Sequence, residues 1–366
     1  MLIGVPKEIK NHEYRVGATP SGVKELVRAG HQVLIEKNAG FEIDFTNEQY
    51  IHAGAKIAKN AKEVYAQADM ILKVKEPQIS ECQMIREGQI IFSYLHLAAE
   101  PRLTQMLIDS KSIAIAFETV SASDGSLPLL APMSEVAGKL SIQAGTKGLE
   151  KASGGRGVLL GGVPGTARAK VTIIGGGVAG TNAAKIAIGM GADVTILDKS
   201  LKRIRYLSDI FGNSCNILYA TSENIEKNVI NSDLVIGAIL IPGAAAVKLV
   251  TKDVVKKMLK GSVMVDISID QGGCFETSKP TSHSDPMYNV DGVIHYCVTN
   301  MPGAVARTST VALENATLPF TLNIASKGYK KAIEEDSNLK DGVNVVDGKV
   351  TYRAVSDALN YEYFKI

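Results

Sequence analysis

Cysteine is scarce in this sequence, with four in 366 residues. Cys82, Cys215, Cys274 and Cys297 are far apart and form no C-x-x-C pair. That spacing argues against a zinc site and against a disulfide framework, and four reduced, mostly buried thiols are expected. An excess of one charge is also missing. Forty basic side chains face thirty-eight acidic ones, and no block of like charge reaches five or six residues. Nucleic acid and anionic membrane are therefore unfavoured partners. The longest uncharged runs, such as Leu234 to Val247, are broken by Gly237, Pro242 and Gly243 and fall short of the roughly 18 apolar residues of a membrane span. The first twenty residues carry Lys7, Glu8, Lys10, Glu13 and Arg15, which is unlike a secretory signal and predicts a cytoplasmic protein. No G-x-x-x-x-G-K-[ST] sequence occurs, so a P-loop nucleotide hydrolase is excluded.

What is present is an ordinary globular composition, 45% apolar and 21% charged, long enough for two domains. Short β-rich apolar runs alternate with helical patterns, the signature of parallel sheets covered by helices. The first set reads Leu2 to Val5, Gln32 to Glu36, Met70 to Val74, Gln89 to Leu95 and Ser112 to Phe117. A second set reads Lys170 to Ile174, Ala192 to Leu197, Asp233 to Ile236, Ser262 to Ile267 and Val293 to Val298. Met133, Val136, Ala137, Leu140 and Ala144 recur at helical spacing, predicting a connecting helix from about Pro132 to Lys151. A second long helix is predicted from about Val311 to Lys331, returning the chain to the first unit. The expected fold is α/β, with two doubly wound, Rossmann-like parallel sheets joined by long helices. Residues 1–130 with 306–366 form a discontinuous substrate domain, and 131–305 a nucleotide domain.

Between the first two strands of the second set lies Gly175-Gly176-Gly177-Val178-Ala179-Gly180. A bare G-x-G-x-x-G is common, but this one follows the buried run Lys170 to Ile174 and opens the helical pattern from Thr181. In that context Gly175 allows the tight turn, Gly177 the approach of a pyrophosphate, and Gly180 close helix packing. The helix N-terminus then faces the phosphates. Asp198 ends the next strand eighteen residues beyond Gly180, where a carboxylate accepts hydrogen bonds from the adenosine ribose and repels a 2′-phosphate. NAD is therefore expected over NADP, although Lys199, Lys202 and Arg203 leave a phosphate-accepting alternative open.

Ligands collect at the carboxyl ends of parallel strands, and there stand Lys75, His96 and Asp270. Each alone is ambiguous, since strand-end polar groups are often solvated or structural. Longer segments add to them: Val5-Pro6-Lys7-Glu8, Glu13-Tyr14-Arg15-Val16, Lys75-Glu76-Pro77, Leu95-His96, Ala131-Pro132-Met133-Ser134-Glu135-Val136-Ala137-Gly138, Leu160-Gly161-Gly162-Val163-Pro164-Gly165, Asp270-Gln271-Gly272-Gly273 and Asn300-Met301-Pro302-Gly303. With these the chain resembles the alanine dehydrogenase family over essentially its whole length. The resemblance implies NAD-dependent oxidative deamination of L-alanine to pyruvate and ammonia, reversible as reductive amination, by a homohexamer. It implies Arg15 and Lys75 as substrate-binding residues, His96 as acid/base and Asp270 as the second catalytic group. Cofactor contacts implied beyond the glycines are Ser134, Val178, Asp198, Arg203, Ile239, Leu240, Ile267 and Met301. One departure is Ala220, followed by Thr221 and Ser222, where family members often place a serine against the adenine.

The chemistry needs such a set. Arginine grips a carboxylate through a planar fork, and loss of ammonia needs a group titrating near neutrality, as histidine does. Three rivals carry the same glycine turn. A transhydrogenase piece passes hydride between two nicotinamides and needs no amino-acid acid/base set; a lysine-forming saccharopine dehydrogenase has similar Lys and His positions without the Asp270 turn; a non-catalytic NAD-binding module would tolerate loss of all four reactive residues.

Overall fold

A computed structural model of the chain describes residues 1–239 and 247–366. In chain order the strands are β1 (Leu2–Val5), β2 (Gln32–Glu36), β3 (Lys56–Ala58), β4 (Met70–Leu72), β5 (Ile90–Ser93), β6 (Ile113–Ala116), β7 (Lys170–Ile174), β8 (Asp193–Asp198), β9 (Asn216–Tyr219), β10 (Leu234–Gly237), β11 (Val263–Asp266), β12 (Met287–Val290), β13 (Val293–Tyr296), β14 (Val343–Val346) and β15 (Lys349–Val350). The chain divides into two compact units, one of Met1–Met133 with Val305–Ile366 and one of Ser134–Ala304.

In the first unit the strand order is β15-β14-β6-β5-β4-β1-β2-β3. From β3 to β6 every neighbour is parallel, as crossover helices require. Strands β5 and β6 are buried at every residue, the pattern of a sheet covered on both faces. The sequence moves outward from β1 to β2 and β3, then returns to place β4 on the other side, so the order reverses between β1 and β4. The helix Pro20–Arg28 makes the first crossover; Thr19 caps it by accepting from the Gly22 N–H, with Pro20 at its first position. Both edges of the sheet carry strands beyond the expected set. Strands β14 and β15 form an antiparallel edge against β6, and β3 extends the opposite edge. The expected helix to Lys331 instead spans Ala306–Lys327 and stops at Gly328, where φ is +74°, before a short helix Tyr329–Glu335.

In the second unit the order is β12-β13-β11-β10-β7-β8-β9. Here β12 is antiparallel to β13 and all other neighbours are parallel. The order reverses between β7 and β10. Apolar side chains from β7, β8, β10 and β11, among them Ile174, Leu197, Val235 and Met264, form one core with the helices over them and with Phe275 from the segment after β11. The helix Ala131–Leu149 enters this unit, and a Cβ on its Gly138 would stand 2.1 Å from the Ala179 carbonyl oxygen. Only glycine lets that helix lie so close to the first turn after the glycine-rich segment. All four cysteines are free, and Cys82, Cys274 and Cys297 are buried. Among the described residues no helix is long and apolar enough to cross a membrane.

Candidate active site

The first unit brings three of the singled-out residues to one edge of its sheet. Arg15 follows β1, Lys75 follows β4 and His96 follows β5, and these three strands are adjacent and parallel. They therefore end on the same side, beside the reversal of strand order where ligands bind in such sheets. Arg15 is 2% exposed, and its guanidinium forms a two-pronged pair with Glu13, Nε to Oε1 at 2.7 Å and Nη2 to Oε2 at 2.6 Å. Nη1 reaches the Met133 sulfur at 3.1 Å. Burial disfavours the charge on Arg15, but the Glu13 carboxylate outweighs it and the guanidinium is held even more firmly protonated than usual.

Lys75 is half-buried, and its main chain is held by Glu8. One Glu8 oxygen accepts the N–H groups of Val74 at 2.7 Å and Lys75 at 3.3 Å. The other accepts from the Lys73 ammonium at 3.0 Å, which also donates to Glu81 at 2.8 Å. Lys73 has no exposed surface. Burial pushes the Glu8 carboxyl upward, against the pull of Lys73.

His96 stands exposed in a left-handed conformation, φ +52°, which few non-glycine residues adopt. Glu118, two residues beyond the end of β6, compensates. Its Oε1 accepts the His96 N–H at 2.6 Å, both its oxygens lie within reach of the Leu95 N–H, and Oε1 is 3.8 Å from the imidazole Nδ1. Tyr94 lies parallel to the imidazole, 5.9 Å between centroids, and fixes its own hydroxyl on the Leu129 carbonyl. Glu8, Glu13, Tyr94 and Glu118 were not singled out by sequence reasoning. Glu8 and Glu13 stand inside the quoted segments, so a signal existed; Glu118 is a lone carboxylate with none.

In the second unit the glycine turn joins β7 to the helix Val178–Gly189. Gly175 has φ +102°, and a Cβ there would lie 2.4 Å from the Ala238 carbonyl oxygen at the end of β10. A Cβ on Gly180 would stand 1.8 Å from the Gly175 oxygen. Both positions require glycine. Gly177 differs: nothing lies within 4 Å of where its Cβ would be, and no side chain caps the helix it precedes. A pyrophosphate fits this cradle, since helix N-terminal N–H groups take anions.

Asp198 ends β8 and braces the turn, Oδ2 accepting the Gly176 N–H at 2.7 Å and Oδ1 the Ser200 N–H at 2.8 Å. Arg203 also turns inward, donating to the Gly176 carbonyl and, at 2.8 Å, to the Thr181 hydroxyl. Its guanidinium is thereby committed to the turn. Ile239 follows β10 and Ile267 follows β11, both half-buried; Ser134 is half-buried on the helix Ala131–Leu149, Val178 is exposed at the start of its helix, and Met301 is buried. Leu240 lies outside the described residues. Ala220 is buried after β9, and Thr221 caps the helix Ser222–Ile230 by accepting from the Asn224 N–H. Asp270 is exposed on the excursion after β11, its Oδ1 3.4 Å from the Asn300 N–H. Among the described residues no group of three His, Cys, Asp or Glu is arranged to hold a metal ion.

The model of the alanine dehydrogenase/PNT N-terminal domain matches residues 4–137, and that of the C-terminal domain residues 141–353. An alanine dehydrogenase of Methanococcus maripaludis is 58% identical over 364 residues, covering 99% of this chain and 98% of its own. One of Halomonas elongata is 56% identical over 363 residues, with the same coverage. Among solved structures, an L-alanine dehydrogenase superposes with a TM-score of 0.95 at 50% identity, over 98% of this chain and 99% of the other. A transhydrogenase from Sinorhizobium meliloti shares the fold, with a TM-score of 0.83 at 22% identity over 97% of this chain and all of the other.

Proposed function

The chain belongs to the alanine dehydrogenase/PNT family, and from that membership we propose that it catalyses the NAD-linked oxidative deamination of L-alanine to pyruvate and ammonia, reversible as reductive amination. The observation that carries this reading is end-to-end similarity to alanine dehydrogenases, through both units and at high identity.

Each residue's role follows from its chemistry. When bound, the nicotinamide supplies the acceptor for the hydride that leaves the substrate α carbon. The buried Arg15, kept charged by Glu13, attracts the substrate carboxylate, and Lys75 steadies the carbonyl oxygen that develops as pyruvate forms. Loss of hydride leaves an iminium on the substrate. Asp270 balances that charge and orients the water that adds to it. His96 then moves protons as the carbinolamine releases ammonia, a contribution of about 10² to 10⁴ in rate for a positioned acid/base. Glu118, holding the His96 backbone and lying beside Nδ1, keeps the imidazole turned for that transfer.

On the dinucleotide side, the Gly177 cradle takes the pyrophosphate and Asp198 the ribose hydroxyls. NAD is preferred over NADP because a 2′-phosphate would meet the Asp198 carboxylate while Arg203 is occupied by the glycine turn. Ser134, Val178, Ile239, Ile267 and Met301 line the rest of the dinucleotide. The assembly is a homohexamer and its place the cytoplasm, both on the strength of the family.

Spectrophotometric NADH formation tests the reading, with L-alanine compared with L-lysine, saccharopine and no substrate. Turnover with alanine and NAD, and little with NADP, is expected; well-folded protein without alanine-dependent turnover would sink the proposal. His96→Ala should lose about 10² or more in kcat while NADH affinity stays near wild type. Equal loss of both would make His96 structural.

A further inference from the structure

Asp266 ends β11 with no exposed surface, and its carboxylate gathers the whole excursion that follows. Oδ1 accepts the Ser268 N–H at 3.0 Å on the outgoing limb. Oδ2 accepts the Cys274 N–H at 2.9 Å, with the Phe275 N–H at 3.4 Å and the Ser278 hydroxyl also directed at it, all on the returning limb. An ionised carboxylate offers about four acceptor sites, so this one post is saturated by donors from both limbs. The return is made at Gly272 and Gly273, both at positive φ, and a Cβ on Gly273 would stand 2.7 Å from Asp266 Oδ2. The Lys248 ammonium closes the outside of the turn on the Gly272 and Gly273 carbonyls.

A second contact registers this excursion against the dinucleotide turn. The Ser268 hydroxyl donates to the Ile239 carbonyl at 2.6 Å and accepts the Ile239 N–H at 3.0 Å. Ile239 follows Ala238, whose carbonyl is the atom packed against Gly175. Asp270 sits midway between the limbs, exposed, while Ser268, Ile269, Cys274 and Phe275 around it are buried.

We propose that Asp266 is a positioning residue for turnover: it pins both limbs of the 267–278 excursion, so that Asp270 is presented at a set place relative to the glycine turn. Asp266 acts through Asp270 and touches no substrate. The inference rests on the reading of Asp270 as catalytic.

The test is a double-mutant cycle of Asp266→Asn and Asp270→Asn. An amide at 266 keeps one acceptor and turns an NH2 toward N–H donors, so the excursion loosens. We expect kcat for L-alanine to fall about 10- to 100-fold, the scale of an ångström misplacement, with NADH affinity by fluorescence titration within about threefold. In the Asp270→Asn background, adding Asp266→Asn should change kcat by less than about twofold, because the two act as one unit. Losses that multiply, or full kcat in Asp266→Asn beside an impaired Asp270→Asn, overturn the positioning proposal alone. Full kcat in Asp270→Asn removes the catalytic reading of Asp270 and this proposal with it. Should Asp266→Asn not fold, Ser278→Ala removes a single donor; a loss of about threefold in kcat that vanishes in the Asp270→Asn background supports the proposal, and unchanged kcat overturns it.

Discussion

Two buried ion pairs, one on Arg15 and one behind the Lys75 backbone, brace the first unit's site. Arg15 is paired with Glu13, the Lys75 backbone is held by Glu8, and Glu8 is paired in turn with Lys73. Lys73 has no exposed surface and serves two carboxylates, so its removal would leave both buried without a cation. Lys73→Met should therefore cost about 3 to 5 kcal/mol, the scale of a broken buried pair, read as a lower urea midpoint. An unchanged midpoint would mean that the two carboxylates simply take up protons at no cost. Because Glu8 also holds the Val74 and Lys75 N–H groups, turnover of this variant should fall as well. Lys75 and His96 were legible in the sequence as strand-end polar groups. The pairing of each with its carboxylate was not, because Glu8 and Val74 are 66 residues apart and His96 and Glu118 are 22 apart.

Among the elements, the helices Pro20–Arg28 and Ala306–Lys327 meet at a carboxylate. Glu314 is buried, accepts the Thr19 N–H at 2.7 Å and the Thr19 hydroxyl, and would collide with any Cβ on Gly22. Burial outweighs the Thr19 donors and pushes the carboxyl from its ordinary 4.5 up to about 7. A raised carboxyl means that between these values the folded chain binds a proton that the unfolded chain does not. Its stabilising effect is full below about pH 4.5 and is lost as pH rises through about 7. Glu314→Gln removes that dependence, so the difference in stability between variant and wild type should change by on the order of 3 kcal/mol between those limits. Thermal unfolding across that range checks it; parallel curves would show that Glu314 stays ionised. Strand recognition at this scale follows burial. The interior strands β5, β6, β10 and β11 are buried throughout and begin with runs of apolar residues, so they are readable. The edge strand β9 is only partly buried, and β14 carries Asn344 in its middle, so neither shows the continuous apolar run by which a covered strand is found.

For the whole molecule, dinucleotide binding is linked to stability. A ligand at about a hundred times its Kd adds about 2.7 kcal/mol to whatever unfolds with its site. Gly177→Leu separates fold from binding, because the backbone there is extended (φ −64°, ψ −163°) and nothing lies within 4 Å of its Cβ position. The variant should unfold within about 0.5 kcal/mol of wild type without ligand, while losing the upward shift in thermal midpoint that NADH produces. An equal shift in both proteins would mean that the pyrophosphate does not use this cradle.

The sequence by itself determined the α/β class, the run of parallel strands, the glycine turn with Asp198, and the family, because periodicity and short motifs report burial and backbone demands over a few residues at a time. Only the tertiary structure decided where the strand order reverses in each sheet, that β12, β14 and β15 run antiparallel, and which buried groups brace the site. Asp266 shows why. In sequence it is one more polar end to an apolar strand; its importance lies in donors up to twelve residues away, at Ser268, Cys274 and Ser278, which converge on it only once the excursion has folded back.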